Sequence, residues 1–600
     1  MFSKKLAWFA LVMLLLPMLA ACGGGDTATP TTVVAPTTAA VATTAPTAAS
    51  VATTAPTAMV VATSVTTPTE AVVVPPSGSF SWRAFAEPKS VDPGHMEETL
   101  SIDIAWQNLW DQLTRFDPET NKILPALAES WDVSANADVY TFHLRKDAKF
   151  SNGDPVTAAD FVYSWNRAVS IPDAEYVENV LSDIKGYSEM RASVVSTDTT
   201  KPKVTALTGL ETPDPYTLKV TLNGPSAYFI SQSALWTASV VNKNVVEKGG
   251  EWYILPGAGT GAYMLTEWKH NEQLTLKVNP NYFDQSRKAT VDVIIPIIKE
   301  TSTAQSLYEQ GKLSVLDQPD PEALERLQKD ATLSKQLFSS AQSRSVWIGF
   351  NVMKPPFGPV GDAKADKLRQ AIFMGIDRQQ LVDIALSGAG QGITTLLPKD
   401  EPGFHEFDPY PFDLAKAKQT LADAGYANGA GLDLTYTYRQ REVEKRVAEN
   451  LQAQFKENLG INIKIEGIEW ATMLPARQNH EYTMFYGSWG HDFPDPQNWF
   501  TPLFHSKNIK GVGPGTGNDP GWSNAEYDKL VDQANALADP AKAEDRLKLY
   551  YKAEEILLKD APLAPLYQGI RYWEVDHSKW SGYGTNPTGV YPFALVKPVK

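Results

Sequence analysis

Tyr140, Phe142 and Leu144 are apolar at every second position, the spacing of a strand with one buried face. Phe80 to Phe85 alternates in the same way, and Tyr216–Leu222 and Gln273–Val278 predict two further strands. Thr157-Ala-Ala-Asp160 has the spacing of a capping box, and behind it Phe161, Val162, Trp165 and Val169 share one helical face. Beyond Ile348 the apolar period lengthens. Lys364–Gly375 predicts a helix, and Asp377 caps a second that ends at Gly388. Asp413 caps a third, which carries Leu414, Ala417, Leu421 and Ala424 and stops at Gly425. Val443, Val447, Leu451, Phe455 and Leu459 recur every fourth residue up to Gly460, and Ile461, Ile463 and Ile465 then alternate. That succession predicts a βαβ unit. Asp539-Pro540 opens the last long helix, to about Lys559.

One stretch departs from plain packing. MFYGSWGHDFPDPQNWF (Met484–Phe500) begins as a short apolar strand and runs into Gly487, Trp489, Gly490, His491 and Asp492. A strand that ends in aromatics, small residues and one carboxylate is placed to meet a ligand. Asp495, between Pro494 and Pro496, reads as a turn residue.

The N-terminal part is not core. Lys4 and Lys5 precede the apolar run Leu6–Leu19, which is too short to span a bilayer comfortably. Leu19-Ala20-Ala21-Cys22 follows, so 1–22 resembles a bacterial lipoprotein signal, with cleavage before Cys22 and lipidation of that residue. Residues 23–77 are Thr, Ala, Val and Pro with hardly a charge, and VATTAPTA occurs at 41–48 and again at 51–58. Such a segment buries too little to offset chain entropy and is expected to be a disordered tether. From Gly78 the composition is globular, and about 520 residues predict two or three domains.

Composition narrows the function. Among 600 residues, 54 Lys+Arg face 69 Asp+Glu, a net charge of −15 that argues against nucleic acid as partner. The single cysteine excludes an internal disulfide or a cysteine-type zinc site. No HExxH, GxSxG or phosphate-loop pattern is present, and the glycine-rich GAGTGAY (257–263) and GVGPGTG (511–517) read as turns. The eight histidines lack metal-ligand spacing. No catalysis, cofactor or metal is expected. Many of the sixteen Trp are expected in the core, but that number also suits a pocket that stacks on its ligand.

Several segments, in order, resemble one family. They are YTFHLRKDAKFSNGDPVTAADFVYSWNRAV (140–169), GTGAYMLTEW (259–268), FNVMKPPF (350–357), AIFMGIDR (371–378), AKAKQTLADAGY (415–426) and LKDAPLAPLY (558–567). From about Phe80 to Ala594 the chain is similar to the bacterial oligopeptide-binding proteins, the extracytoplasmic solute-binding components of peptide ABC importers. The resemblance implies an α/β, two-lobed periplasmic-binding-protein fold of type II, cluster C, with an extra small domain. It implies lobe I from 78–109, 236–350 and 566–600, the extra domain at 110–235, and lobe II at 351–565. It also implies a monomer that closes on an oligopeptide by a hinge and delivers it to permease subunits, held outside the cytoplasm by the lipid on Cys22. Asp492 matches the carboxylate that pairs with the ligand's amino group. Tyr486, Gly487, Ser488 and Trp489 match one wall of the cleft, and Glu97, Glu98 and Thr99 the other. Trp470 matches a pocket aromatic, Asn351 a ligand-facing position and Arg477 a residue that meets the ligand's carboxylate. Tyr486 stands where the family has a second arginine, and a family histidine near 442–444 is absent, although Arg439 and Arg441 lie close by. Relatives that bind oligosaccharide, nickel or haem, and a ligand-sensing or adhesive lipoprotein of the same fold, are the alternatives.

Overall fold

The computed structural model describes residues 78–174, 176–198, 200, 202–319, 323–512, 517–584 and 592–600. The expected signal at 1–22, Cys22 and the expected tether at 23–77 lie outside the described residues, as does most of GVGPGTG.

The strands, in chain order, begin with β1 (Phe80–Ser81), β2 (Thr114–Phe116), β3 (Ile123–Pro125), β4 (Ala128–Val133), β5 (Val139–Leu144), β6 (Leu210–Asp214) and β7 (Thr217–Thr221). They continue with β8 (Tyr263–Lys269), β9 (Gln273–Val278), β10 (Val293–Pro296), β11 (Val315–Asp317) and β12 (Leu337–Phe350). The last are β13 (Gly390–Gly392), β14 (Leu434–Arg439), β15 (Ile463–Ile468), β16 (Met484–Gly490) and β17 (Leu563–Val575). Two four-stranded sheets have the orders β1-β10-β9-β8 and β4-β5-β7-β6. The largest sheet runs β11-β17-β12-β16-β14-β15, with β13 added to β17.

The alternation in β5 places Tyr140, Phe142 and Leu144 in the interior, beside Leu218 and Val220 of β7. Over that sheet lies the helix Ala158–Ser170, with Phe161, Trp165 and Val169 buried and Val162 half-buried. Its first turn is fastened by Asp160, whose carboxylate accepts from the Thr157 N–H at 2.8 Å and from its hydroxyl at 2.7 Å. Phe80–Phe85 pairs as a strand only at Phe80 and Ser81, followed by single bridges at Trp82 and Ala84.

The βαβ unit is β14, the helix Glu442–Gln454 and β15, with β14 and β15 parallel. Val447, Leu451, Phe455 and Leu459 are buried, but Val443 is 42% exposed. The helix Arg378–Ala385 begins at the cap Asp377, whose carboxylate accepts from the Gln380 N–H, and ends three residues before Gly388. Ser387 and Gly388 both have positive φ and cannot continue it. The last long helix is Ala543–Asp560, preceded by a tighter turn at Pro540–Lys542.

Two hydrophobic cores result. One gathers Phe80, Phe142, Trp165, Leu276 and Val315, and the chain returns to it at Trp573 and Phe593. The other gathers Trp347, Leu451, Phe485, Trp499 and Leu563. β12 and β17 run from one to the other. Phe338 packs against the first core while Val346–Phe350 belong to the second. Between Ala341 and Ser345 the register of β12 on β17 shifts, a bulge that lies between the two cores.

Candidate ligand-binding cleft

At that bulge the strand presents Gln342, Ser343 and Arg344 to open space. Two cavities meet there. The smaller, of about 190 Å³, is bounded by Asp103, Trp106, Tyr176 and Trp236 on one side and by Gly490, His491 and Asp492 on the other. The larger, of about 540 Å³, reaches from Tyr486 and Tyr567 to the start of the helix Glu442–Gln454. Thr99, Gln342, Arg344 and Arg571 line both, so the two form one cleft.

β16 forms the floor. Antiparallel β12 pairs with it along its whole length, from Met484 to Gly490. Parallel β14 pairs with it only at Met484 and Phe485 and then diverges. From Tyr486 to Gly490 the second edge of β16 therefore has no partner strand among the described residues. The close approach of β12 needs Gly487: a Cβ there would lie 2.1 Å from Nε1 of Trp347.

Asp492 stands just past the end of this strand, half-buried. Asn498, in the helix Gln497–Phe504, holds it at both ends: Oδ1 accepts from the Asp492 N–H at 2.8 Å, and Nδ2 donates to the carboxylate at 3.2 Å. The same Oδ1 accepts from the Trp489 indole at 3.2 Å. Burial pushes the Asp492 carboxyl above the usual range, opposed by the Asn498 hydrogen bond and by His491 and Arg344 nearby. No lysine or arginine is ion-paired with it among the described residues. Its neighbour His491 is paired with the fully buried Glu401. The wall facing Asp492 is aromatic. Trp106 and Trp236 meet edge to face at 5.6 Å, and Tyr176 packs on Trp236 at 5.3 Å.

The other residues expected at the site fall into two groups. Thr99 is exposed in both cavities, Tyr486 forms a wall of the larger one, and Ser488 accepts from Nη1 of Arg344 at 3.5 Å. Ser488 and the rest do not line the cavities. Glu98 caps the helix Thr99–Ala105, its carboxylate accepting from the Ser101 and Lys89 N–H groups, and Glu97 is half-buried outside the cleft. Trp489 packs against the second core through its bond to Asn498. Asn351 is buried and ties strand ends together, donating to the carbonyls of His480 at 2.7 Å and Tyr482 at 3.1 Å. Arg477 is buried, ion-paired with Asp519 at 2.8 Å and donating to the Tyr486 carbonyl at 3.1 Å. Trp470 is 38% exposed, with the guanidinium groups of Arg439 and Arg477 over its ring. Asp495 receives a paired fork from Arg546 at 2.8 and 2.7 Å and so fixes the loop behind Asp492.

Asn498, Arg344, Asp103 and the three aromatics of the facing wall carry no signal in the sequence. Their proximity is made by the bulge of β12 and by segments far apart along the chain. Among the described residues no group of histidines, cysteines and carboxylates is arranged to hold a metal, and no helix is long and apolar enough to cross a membrane.

Two cores joined by crossing strands, with a charged and aromatic cleft between them, define a binding protein that encloses its ligand between lobes. The chain belongs to the bacterial extracellular solute-binding proteins of family 5, whose model, described as the family's middle part, matches residues 122–511. It is 28% identical over 507 residues to the oligopeptide-binding protein OppA of Bacillus subtilis, covering 82% of this chain and 88% of that protein. It is 30% identical over 500 residues to a protein of Escherichia coli named "Probable deoxycholate-binding periplasmic protein YgiS", again covering 82% and 88%. Among solved structures, the unliganded open form of the periplasmic murein tripeptide binding protein MppA superposes with a TM-score of 0.73 at 28% identity, over 88% of this chain and 99% of that one. The two-lobed α/β fold expected from the sequence is thereby shown.

Proposed function

We propose that this chain captures oligopeptides by their free amino end and hands them, unaltered, to the permease subunits of an ABC importer. The observation that carries the reading is Asp492: a carboxylate whose ionised form is disfavoured by burial, with no ion-paired lysine or arginine among the described residues, at the mouth of a cavity. A peptide ammonium supplies the missing charge. The unpartnered edge of β16 supports the same reading, because a peptide can add there as a strand without regard to its side chains. The names of OppA and MppA, both peptide binders, agree with it. The protein acts as a monomer outside the cytoplasm, tethered through lipidated Cys22.

The test is thermal unfolding with a short peptide in free and N-acetylated forms. At about a hundredfold excess over Kd the free form adds roughly 2.7 kcal/mol of stability. The acetylated form adds much less, and Asp492→Asn removes the difference. Equal shifts with both forms in the unaltered chain overturn the role of Asp492. For the anchor, Cys22→Ala releases the mature chain from the membrane fraction into the soluble one, and continued membrane retention refutes it.

A further inference from the structure

The larger cavity has a charge opposite to that of the whole chain. Arg344, Arg439, Arg441, Arg446 and Arg571 line it, against one carboxylate among the described residues, Glu444. In a protein of net charge −15 this gathering does not follow from composition. Two of the five are matched. Arg439 is paired with Glu444, its Nε at 3.1 Å, and Arg571 with Asp317 at 2.8 Å. Arg344, Arg441 and Arg446 have no carboxylate partner among the described residues. Arg344 makes one long bond to a hydroxyl, and Nε of the half-buried Arg446 is shielded from solvent without a hydrogen-bond partner. A shielded donor without a partner is unfavourable, and a ligand acceptor removes the penalty. The helix Glu442–Gln454 also begins at this cavity, with Arg441 in the cap position and no side chain capping its amides. Its positive end adds to the same field.

We propose that this arginine cluster selects peptides with acidic side chains beyond their first residue, so that the cleft reads an amino end at Asp492 and carboxylates at the arginines. The inference rests on the peptide reading of the cleft. Forked guanidinium groups match carboxylates in pairs, which suits side-chain carboxylates as well as a terminal one. The occupant's charge pattern follows: one cation at the smaller cavity and two or more anions in the larger.

Calorimetry with C-terminally amidated peptides separates side-chain acids from the terminal carboxylate. Ala-Ala-Glu-Ala-Glu-amide is expected to bind the full chain about tenfold tighter than its Gln counterpart, a few modest ion pairs in sum, and a Lys counterpart more weakly than either. The Glu-to-Gln ratio is expected to shrink as salt is raised from about 0.1 to 1 M, where the screening length falls from about 10 to 3 Å. In Arg441→Gln/Arg446→Gln it is expected to fall to about twofold or less. Equal affinity of the Glu and Gln peptides overturns the proposal, and so does a ratio unchanged by salt in the unaltered chain. N-acetylation of the same peptides reports on Asp492 separately, so failure of the amino-end reading is told apart from failure of acid selection.

Discussion

Asp103 lies across the smaller cavity from Asp492 and is buried with one carboxylate oxygen, Oδ1, lacking a hydrogen-bond partner. Its cation is shared. Arg571 gives its nearer contacts to Asp317 and reaches Asp103 only at 3.5 Å. Burial therefore outweighs the guanidinium and raises the Asp103 carboxyl to about 7. A carboxyl raised above its unfolded value is neutral in the fold over a range where the unfolded chain is already ionised. Stability from this residue is intact below about pH 4 and is lost as pH rises toward 7. Asp103→Asn abolishes that loss. The stability of the variant relative to the unaltered chain is expected to improve by roughly 2 to 3 kcal/mol between pH 5 and pH 8. Urea unfolding at the two pH values measures it, and a difference that does not change with pH refutes the assignment.

At the scale of elements, the cleft depends on how closely β12 and β16 run. Gly487 faces Trp347, which is buried, and the indole occupies the space of the absent side chain. Gly487→Ala must displace either the ring or the strand. The expected cost is about 1 to 3 kcal/mol in denaturant unfolding with an unchanged slope, together with weaker peptide binding. An unperturbed midpoint would show that the indole moves freely. The same two strands show where sequence reading reaches its limit. β5 and β7 were legible because one buried face imposes a period of two, and the helices capped by Asp377 and Asp413 because a cap is a local hydrogen bond. β12 was not, since its middle reads Ser339, Ser340, Gln342, Ser343, Arg344, and a polar run in a long strand has no period to detect. Of these, Gln342, Ser343 and Arg344 line the cleft, so part of the feature that hid the strand is what makes the site. Asp492 could be singled out because a motif surrounds it. Arg344, Trp106 and Trp236 could not, because only tertiary packing brings them beside it. Arg477 is the converse case: its position matched the family, but Asp519 already occupies its guanidinium.

For the whole molecule, the decisive arrangement is that Asp492 sits at the seam of the two cores. The preceding strand belongs to the second core, while the next residue, Phe493, packs in the first and stacks on Tyr228 at 6.2 Å. A second tie crosses nearby, where the Ala227 N–H donates to the Asn535 carbonyl at 3.0 Å. Rotation of one lobe against the other about these ties and the crossing strands β12 and β17 is expected to change the distance from Asp492 to the wall of Trp106 and Trp236. On the proposed function, an ammonium bound at Asp492 is expected to favour a closed arrangement in proportion to how much better that wall excludes water. The body from Gly78 onward contains no cysteine, so labels can be introduced without background. Val195, at the end of a helix whose Tyr187 and Met190 enter the first core, is 60% exposed. Ile384, on the helix whose Leu381 and Val382 enter the second, is 62% exposed. In the released Cys22→Ala form, spin labels at Val195→Cys and Ile384→Cys are expected to give a distance distribution that shifts and narrows with a free-amino peptide. The N-acetylated peptide is expected to leave it unchanged. A distribution that both peptides move equally would mean that closure is driven from the arginine-lined cavity rather than from Asp492, and one that neither moves would mean that the lobes do not rotate on binding.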